Sequence, residues 1–339
     1  MNIIIIGFGE MGKNIAQLAS KKEQITIVGV VDINPELHGK LIKEFIEVKE
    51  EVTIVNEIAA LSDVEADVAI ITTGSEIENV AETILSAVKR NLNVVTIAEE
   101  MAYPWVKNRE LSEKIDVISK QNNVSVLGTG INPGFILDTL IIVLSSVCYQ
   151  VNKVKATRIN DLSPFGPTVL NAQGVFRTVE AFHEGVENGE IVGHVGFQQS
   201  VALMAEAFGW DIDEVIEEKK PIITNVDRYV KGQLIKKGMV VGCNHSVIAK
   251  SKGKILIELE HPQQVQPEAE GIKTKDEIII EGIPNLHMTI APEIPGGIGT
   301  VAMAVNVLPH VIKAKEGLIT MRDLPGLLSI FENMTDQVK

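Results

Sequence analysis

The sequence has few cysteines and little positive charge compared with negative charge. Its two cysteines, Cys148 and Cys243, stand far apart among apolar residues and form no CxxC pair, which predicts buried thiols in a reducing compartment. Lysine and arginine number 31 against 45 aspartates and glutamates, for a net charge of −14. This acidic balance argues against nucleic acid and anionic membranes as partners.

Long hydrophobic runs are also missing. The N-terminal run of four isoleucines follows no basic segment, so no secretory signal is expected. The most apolar long stretch, residues 133–151, contains Asp138 and is predicted to be a buried helix instead of a membrane span. The histidines have no metal-ligand spacing, so no metal site is expected. These features predict an acidic protein of the cytoplasm.

Two domains are expected for a chain of 339 residues. Within residues 1–130, apolar runs such as NIIIIG, DVAIITTG and NVVTIA alternate with helix-like segments, among them PELHGKLIKEFIE. Strands buried on both faces that alternate with helices predict an α/β fold with a Rossmann-type, doubly wound parallel sheet. We therefore expect residues 1–130 to form a dinucleotide-binding domain.

Strand-like runs dominate most of residues 131–297, with one strong helix, GFQQSVALMAEAFGW, among them. This pattern predicts an α+β domain with an antiparallel or mixed sheet, which binds substrate and forms a homodimer. A small-residue helix within residues 298–317 is predicted to pack back on the first domain, and residues 318–339 form a C-terminal segment.

The segment GTGINPGFILDTL lies where the two predicted domains join. Residues 133–148 are predicted to form one long helix, with Pro133 at its first position and Asn132 as its cap. The amide groups at the start of such a helix would suit a nicotinamide carboxamide or a substrate oxygen.

A glycine-rich turn, GFGEMG, directly follows the first predicted strand. Gly7, Gly9 and Gly12 have GxGxxG spacing, and Asp32 ends the second strand 20 residues later. Such glycines allow a tight turn, a close approach to a pyrophosphate and close helix–strand packing, while the acidic residue accepts hydrogen bonds from a ribose. The residues predicted to contact the cofactor are Gly7, Phe8, Gly9, Glu10, Met11, Gly12, Asp32, Thr72, Thr73 and Gly74.

The carboxylate of Asp32 would repel a 2′-phosphate, so the sequence favours NAD over NADP as the cofactor. Asn34 and Lys40 follow closely in the sequence and leave the use of NADP open. The turn at residues 72–74 ends another strand and should border the cofactor, although a helix cap formed by Ser75 is an alternative interpretation of this segment.

The stretch VVTIAEEMAYPW places two adjacent carboxylates, Glu99 and Glu100, at the end of a buried strand. Ligands lie beyond the carboxyl ends of strands in such sheets, so a carboxylate here could hold a substrate ammonium beside the nicotinamide and accept its proton. The alternative is a charge that stabilises the start of a helix near Pro104. The pattern does not tell which of the two carboxylates faces the substrate.

Several segments besides GFGEMG resemble one enzyme family: VVTIAEEMAYPW, GTGINPGFILDTL, KATRIND, GHVGFQQSVALMAEAFGW and GTVAMAVNVLPHVIKAKEGLITMRDLP. They cover nearly the whole chain and are similar to 2,4-diaminopentanoate dehydrogenases and related native amine dehydrogenases, which resemble dihydrodipicolinate reductase in fold. The resemblance implies NAD(P)-dependent oxidative deamination of 2,4-diaminopentanoate to 2-amino-4-oxopentanoate and ammonia, a step of ornithine fermentation.

The resemblance also implies the residues that bind substrate. The family's catalytic glutamate matches Glu99 or Glu100, and its substrate-binding positions match Asn132, Arg158, Asn160, His261 and Thr300. Arg158 and Asn160 are two residues apart, so a strand puts both on one face, and an arginine fork can grip a carboxylate. A salt bridge is the alternative role for Arg158.

Three other functions stay open at this point. An amine dehydrogenase for simpler amines would need no group for a substrate carboxylate. A dihydrodipicolinate-type reductase would carry a histidine pair, a lysine and a Ser-Gly-Thr turn where this chain has KATRINDLSPFGPT. A non-catalytic NAD-binding sensor would not need its polar side chains to converge on the cofactor.

Overall fold

The computed structural model describes residues 1–324. Its strands are β1 (Asn2–Ile6), β2 (Thr26–Val31), β3 (Ile54–Val55), β4 (Val68–Ile71), β5 (Asn93–Thr96), β6 (Ser125–Gly128), β7 (Gln150–Asp161), β8 (Glu214–Ile223), β9 (Arg228–Val230), β10 (Gln233–Ile235), β11 (Val240–Ser251), β12 (Lys254–Gln264), β13 (Lys275–Ile283), β14 (Leu286–Ile290) and β15 (Gly317–Ile319). Its α-helices are α1 (Glu10–Ser20), α2 (Ile77–Val88), α3 (Arg109–Gln121), α4 (Thr139–Ser145), α5 (Pro167–Ala172), α6 (Val179–Glu187), α7 (Phe197–Phe208), α8 (Gly296–Asn306) and α9 (Leu308–Ile312).

The chain folds into two compact units. Of the described residues, the first unit contains residues 1–135, the short piece Gln198–Ser200 and residues 296–324. The second unit contains Ile136–Phe197 and Val201–Pro295. Of the predicted C-terminal segment, residues 325–339 lie outside the described part of the chain. No helix within residues 1–324 is long and apolar enough to cross a membrane.

The first unit is built on a seven-stranded parallel sheet with the order β15-β6-β5-β4-β1-β2-β3. Alternate residues of β1 point to opposite faces. Ile3 and Ile5 join one core with residues of α1, α8 and α9, whereas Ile4 and Ile6 join the other core with residues of α2 and α3. Helices cover both faces, so the predicted doubly wound Rossmann-type fold is confirmed.

The helix predicted for PELHGKLIKEFIE is wrong. This segment has only a 3₁₀ turn at Ile42–Glu44. Gly39 has a φ of +81°, outside the helical region, and Leu41 forms an antiparallel bridge with Thr53. The backbone is therefore tied to the chain before β3 instead of forming a free helix.

The long helix predicted for residues 133–148 is also wrong. Only α4, seven residues long, is helical there. Gly134 has a φ of +117°, which a right-handed helix cannot contain. The cap of α4 is Asp138, which accepts a hydrogen bond from the backbone of Thr139, so Asn132 does not cap this helix.

The second unit contains a mixed six-stranded sheet with the order β14-β13-β7-β12-β11-β8. Only β7 and β12 pair in parallel, and the other neighbours are antiparallel. The register places Arg158 opposite Asp276, and His245 between His261 and Lys219. A row of ionisable side chains therefore crosses the sheet. The strand pairing itself, parallel at one position and antiparallel elsewhere, confirms the predicted mixed sheet.

Candidate active site

The glycine-rich turn between β1 and α1 has room for an anionic group. Gly9 is the N-cap of α1 and has no side chain to satisfy the first amide groups of the helix. A Cβ atom on Gly9 would meet no described atom within 4 Å, whereas one on Gly12 would lie 2.0 Å from the carbonyl oxygen of Gly7. The helix thus packs tightly at Gly12 and is open at Gly9, an arrangement that fits the pyrophosphate of a dinucleotide.

Asp32 lies beside an open pocket of about 430 Å³ at the carboxyl end of β2. Its Oδ2 accepts a hydrogen bond from the backbone of Phe8 at 2.5 Å, and its Oδ1 accepts one from the backbone of Asn34 at 2.8 Å. Glu57 and Thr73 also line the pocket, and within residues 1–324 no lysine or arginine does. The pocket lies where the adenosine part of a dinucleotide binds in folds of this kind.

The other predicted cofactor residues surround the same turn. The ring of Phe8 is buried in the core and packs edge-on against Phe45. Only the backbone of Phe8 is therefore available to contact a cofactor at the turn. Thr72 donates from Oγ1 to the carbonyl oxygen of Gly7 at 2.9 Å and thereby holds the turn against the end of β4. Glu10 and Met11 form the first turn of α1. Gly74 lies in the loop before α2.

Glu99 and Glu100 lie in a 3₁₀ turn that follows β5, and their environments differ. Glu100 is only 5% exposed, and its Oε2 accepts a hydrogen bond at 3.0 Å from the backbone of Ile77, the first residue of α2. The ammonium group of Lys107 lies 3.5 Å from the other carboxylate oxygen. Both oxygens of Glu100 therefore have partners in the protein, as expected for a carboxylate that stabilises structure.

Glu99 is partly buried and has a different character. Burial raises the pKa of its carboxyl group, the hydroxyl of Ser75 lowers this pKa by a hydrogen bond, and the charge of Glu100 raises it further. A carboxylate with a raised pKa at the ligand-binding edge of a nucleotide-binding sheet can accept a proton near neutral pH. Glu99 is thus the better candidate for a general base.

Thr300, in the first turns of α8, contacts the loop after β6. Its Oγ1 accepts a hydrogen bond from the backbone of Ile131 at 3.3 Å. Asn132 follows directly in this loop, so the first unit brings Asn132 and Thr300 close together, two residues that the sequence predicted for the substrate site.

In the second unit, Arg158 and Asn160 lie on β7. Arg158 is 2% exposed, and its Nη1 forms an ion pair with Oδ1 of Asp276 at 2.5 Å. Its Nη2 donates to the carbonyl oxygen of Ile294, also at 2.5 Å. Asn160 is buried, and its Oδ1 has no hydrogen-bond partner among the residues that the structure describes.

Three histidines cluster in the second unit. The rings of His194 and His261 meet edge to face, 4.9 Å apart. The backbone of His194 donates to Nδ1 of His245 at 2.9 Å, and Nε2 of His245 lies 3.2 Å from a carboxylate oxygen of Glu217. Burial lowers the pKa of His194 to about 3 and that of His261 well below its ordinary value, helped by the positive charge of Arg158. Both imidazoles are therefore neutral at pH 7.

Comparisons with known proteins show the family of this chain. Residues 135–339 match the family model described as the 2,4-diaminopentanoate dehydrogenase C-terminal domain, and residues 1–122 match that of the dihydrodipicolinate reductase N-terminus. The chain is 41% identical, over all of its length and 97% of the relative's, to a 2,4-diaminopentanoate dehydrogenase of Acetoanaerobium sticklandii. The chain belongs to the 2,4-diaminopentanoate dehydrogenase family. It is an oxidoreductase with a nicotinamide cofactor.

Solved structures show the same fold. An amine dehydrogenase from Mycobacterium smegmatis superimposes with a TM-score of 0.82, at 26% identity over 97% of both chains. A dihydrodipicolinate reductase from Paenisporosarcina sp. TG-14 has a TM-score of 0.52 at 12% identity, and covers 93% of this chain and 96% of its own. The second likeness concerns the fold alone.

The position of Arg158 corrects one expectation for this member of the 2,4-diaminopentanoate dehydrogenase family. The sequence predicted an arginine fork that grips a substrate carboxylate. Both terminal nitrogens instead donate to Asp276 and Ile294, because β13 pairs with β7 and puts an aspartate directly opposite. The salt-bridge alternative describes Arg158 as the structure has it.

Four further residues at these polar clusters were not predicted as site residues: Ser75, His194, His245 and Asp276. Each is far in sequence from the residue that it contacts, so no local pattern connects them. Strand register would have been needed to pair Asp276 with Arg158. For His194, the only local signal was its place in the loop GHVGF before α7, because binding and catalytic residues often lie on loops.

Proposed function

We propose that this chain catalyses the NAD-dependent oxidative deamination of 2,4-diaminopentanoate to 2-amino-4-oxopentanoate and ammonia. The observation that carries the proposal is the partly buried carboxylate of Glu99, whose pKa is raised, at the carboxyl edge of a nucleotide-binding sheet. The 41% identity to a full-length relative of that name supports the choice of substrate. A carboxylate suits an amine substrate because it can bind an ammonium group and take its proton.

In the proposed reaction, Glu99 first accepts a proton from the C4 ammonium group of the substrate. The neutral amine then supplies an electron pair to C4 as the C4–H bond breaks. When bound, the nicotinamide accepts the hydride. Glu99 passes this first proton to solvent and then accepts a proton from water as the water adds to the iminium ion. It returns that proton to the nitrogen as the carbinolamine collapses, and ammonia leaves. One water is consumed, and the ketone, an ammonium ion and a proton are released.

The second unit also has polar side chains that could bind an amino-acid substrate. Oδ1 of Asn160 has no partner among the described residues and could accept a hydrogen bond from an ammonium group. The neutral imidazoles of His194 and His261 can donate to or accept from the substrate without adding charge. Arg158 is not assigned to the substrate carboxylate, because its terminal nitrogens donate to Asp276 and Ile294.

A dehydrogenase for simpler amines is a second candidate, and one observation favours it. Because Asp276 neutralises Arg158 and the pair is buried, the second unit has no free guanidinium fork at this position. A substrate without a carboxylate would leave this ion pair undisturbed. The relative of 26% identity, named an amine dehydrogenase, is consistent with a substrate that needs an amino group but no carboxylate.

We further propose NAD as the preferred cofactor. Asp32, Glu57 and Glu82 line the pocket at the end of β2, and their negative charges would repel the 2′-phosphate of NADP. Lys40 lies instead near the ring of Phe45, 5.7 Å from its centroid. The test is the ratio of kcat/KM for the two cofactors.

A homodimer in the cytoplasm is also proposed. Exposed apolar side chains on β8 and on the β9–β10 hairpin support an interface in the second unit: Val215, Ile216, Ile223, Tyr229 and Leu234. Single scattered apolar residues are common on surfaces, so the mass of the protein in solution, from light scattering, must decide.

The deciding experiment follows NAD reduction by the purified protein with 2,4-diaminopentanoate and, in parallel, with 2-aminopentane. Turnover that is at least tenfold more efficient on the diamino acid supports the proposed substrate. Equal or better turnover on the plain amine replaces it by the second candidate. No turnover on either, with NADH still bound, would contradict an amine dehydrogenase. The variant Glu99→Gln should bind NADH and lose turnover, whereas wild-type rates in this variant would remove Glu99 from the reaction.

A further inference from the structure

The loop between α6 and α7 carries His194 and lies against the side chain of His245, on β11. The approach is close at Gly193, whose φ is +68°, because a Cβ atom there would lie 2.8 Å from Nδ1 of His245. The rings of His194 and His245 both pack edge-on against Phe197, with ring centroids 4.7 and 4.9 Å away. The loop therefore contacts His245 through its backbone and through a shared aromatic neighbour.

The backbone contact defines which nitrogen of His245 carries a hydrogen. The amide of His194 donates to Nδ1 of His245 at 2.9 Å, so Nδ1 is an acceptor and a neutral imidazole must carry its hydrogen on Nε2. Nε2 lies 3.2 Å from a carboxylate oxygen of Glu217 on the neighbouring strand β8, which can accept that hydrogen. Glu217 thus favours the tautomer of His245 that holds the loop.

Two other side chains bind the same loop at its carbonyl groups. Nε2 of Gln173 donates to the carbonyl oxygen of Gly193 at 2.7 Å, and Nζ of Lys219 donates to that of Ile191 at 3.1 Å. Together with His245, these contacts fix the backbone of the loop without using Nε2 of the His194 ring.

The ring of His194 belongs to a polar cluster with unsatisfied atoms. Its Nε2 is buried without a hydrogen-bond partner among the described residues, as is Oδ1 of Asn160. Strand register pairs Asn160 with Gln263, two residues after His261, so Asn160 and His261 share one face of the sheet. The ring of His261 meets that of His194 at 4.9 Å. Because buried polar atoms usually have partners, this cluster is suited to the polar groups of a ligand.

We propose that His245 is a positioning residue for substrate binding, which holds the loop so that the imidazole of His194 is presented to the substrate, and that Glu217 fixes the required tautomer. This inference rests on the proposed function, in which the polar side chains of the second unit bind an amino-acid substrate. His245 acts through His194 and has no assigned contact with the substrate. A loop that is already ordered need not be immobilised on binding, which favours affinity.

Two substitutions of His245 separate the roles of its two nitrogens. In His245→Asn, the side-chain oxygen can take the place of Nδ1 and accept from the amide of His194. In His245→Gln, the longer side chain reaches the place of Nε2 and leaves that amide without an acceptor. Both variants lose the ring and its packing against Phe197, so a merely structural role would affect both alike.

The first readout is hydrogen exchange at the amide of His194, followed by NMR, which does not depend on turnover. Exchange in His245→Gln should be faster by about fivefold, the factor expected when one hydrogen bond is lost, and exchange in His245→Asn should stay near the wild-type rate. Glu217→Leu should also speed the exchange and raise the share of the Nδ1–H tautomer in ¹⁵N spectra of labelled histidine. Glu217→Gln, which keeps an acceptor oxygen, should restore both.

The second readout is the Kd of 2,4-diaminopentanoate for the protein saturated with NADH, measured by calorimetry. His245→Gln should weaken this binding by about fivefold and leave the Kd of NADH unchanged, whereas His245→Asn should bind like the wild type. The matched control is His287→Gln, which removes an exposed histidine of the same sheet that lies 3.1 Å from Glu277. The control should change neither readout.

Equal effects of the two His245 substitutions would overturn the inference, as would an unchanged exchange rate or an unchanged substrate affinity in His245→Gln. A wild-type protein that neither binds nor turns over the diamino acid would contradict the proposed function. The exchange rates would then still decide whether His245 holds the loop, so the two failures are distinguishable.

Discussion

Replacing Asp276 by asparagine should destabilise the second unit strongly. Asp276 and Arg158 are 1% and 2% exposed, so solvent does not screen their charges. The carboxylate also accepts a hydrogen bond from the backbone of Ile294 at 2.9 Å. In Asp276→Asn the shape is kept, but the guanidinium stays buried without a counter-charge. Breaking a buried pair in this way costs about 3–5 kcal/mol, a large part of the roughly 5–15 kcal/mol that stabilises a typical protein.

The two tryptophans make the assay specific to each unit. Trp105 lies in the first unit and Trp210 in the second, so a Trp105→Phe background leaves Trp210 as the only tryptophan, and its fluorescence reports on the second unit. Urea unfolding is followed at this residue with and without Asp276→Asn. The midpoint should fall while the slope stays constant.

A matched control removes an exposed ion pair of the same sheet. Lys220 and Glu218 are both more than half exposed, with 2.7 Å between the charged atoms. Glu218→Gln should therefore cost about 0–1 kcal/mol. If Asp276→Asn costs no more than this control, the buried pair does not stabilise the sheet. Exchange of both partners, Arg158→Met with Asp276→Leu, should cost less than Asp276→Asn alone because no charge is left unpaired.

Three other predictions follow from the structure. Gly12→Ala should abolish NAD binding in calorimetry, since its Cβ would lie 2.0 Å from a carbonyl oxygen, whereas Gly297→Ala, with open space around it, should bind normally; equal affinities would contradict the tight packing. The kcat/KM of the wild type should rise with pH through the raised pKa of Glu99, because only the ionised base accepts a proton; a flat profile would count against this base. The folded protein holds His194 neutral down to about pH 3, while the unfolded chain binds a proton near pH 6.5. The second unit should therefore lose stability as the pH falls below 6.5, by up to about 1.4 kcal/mol per pH unit, and His194→Phe should reduce this slope.

Local patterns were sufficient to predict the nucleotide-binding fold. The glycine turn, the apolar strands and the acidic residue at the end of β2 can each be recognised from a few neighbouring residues, and each has one physical explanation. The strand β15 has only three residues and exists because it pairs with β6. No periodicity arises in three residues, so β15 could not be predicted from its own sequence. Residues 133–148 failed for a different reason. Their pattern is helix-like, but the positive φ of Gly134 interrupts the helix.

The partners of charged side chains were the hardest part of the site to predict. Arg158 was expected to face a carboxylate, and it does, but the carboxylate belongs to Asp276, 118 residues later in the chain. An arginine on a strand interacts equally well with a ligand or with the next strand. Only the pairing of β13 with β7 decides between the two.

Glu99 and Glu100 show how neighbouring, chemically identical residues acquire different roles. Strand alternation could not separate them, because they follow β5 in a 3₁₀ turn instead of continuing the strand. The turn directs Glu100 to the amide of Ile77, where its charge stabilises the start of α2. Burial is the largest influence on the pKa of Glu99 and raises it, while hydrogen bonds from the Ser75 hydroxyl and from the backbone of Glu99 lower it. The two neighbouring carboxylates therefore have different environments, and this difference is the reason that we propose Glu99, and not Glu100, as the base.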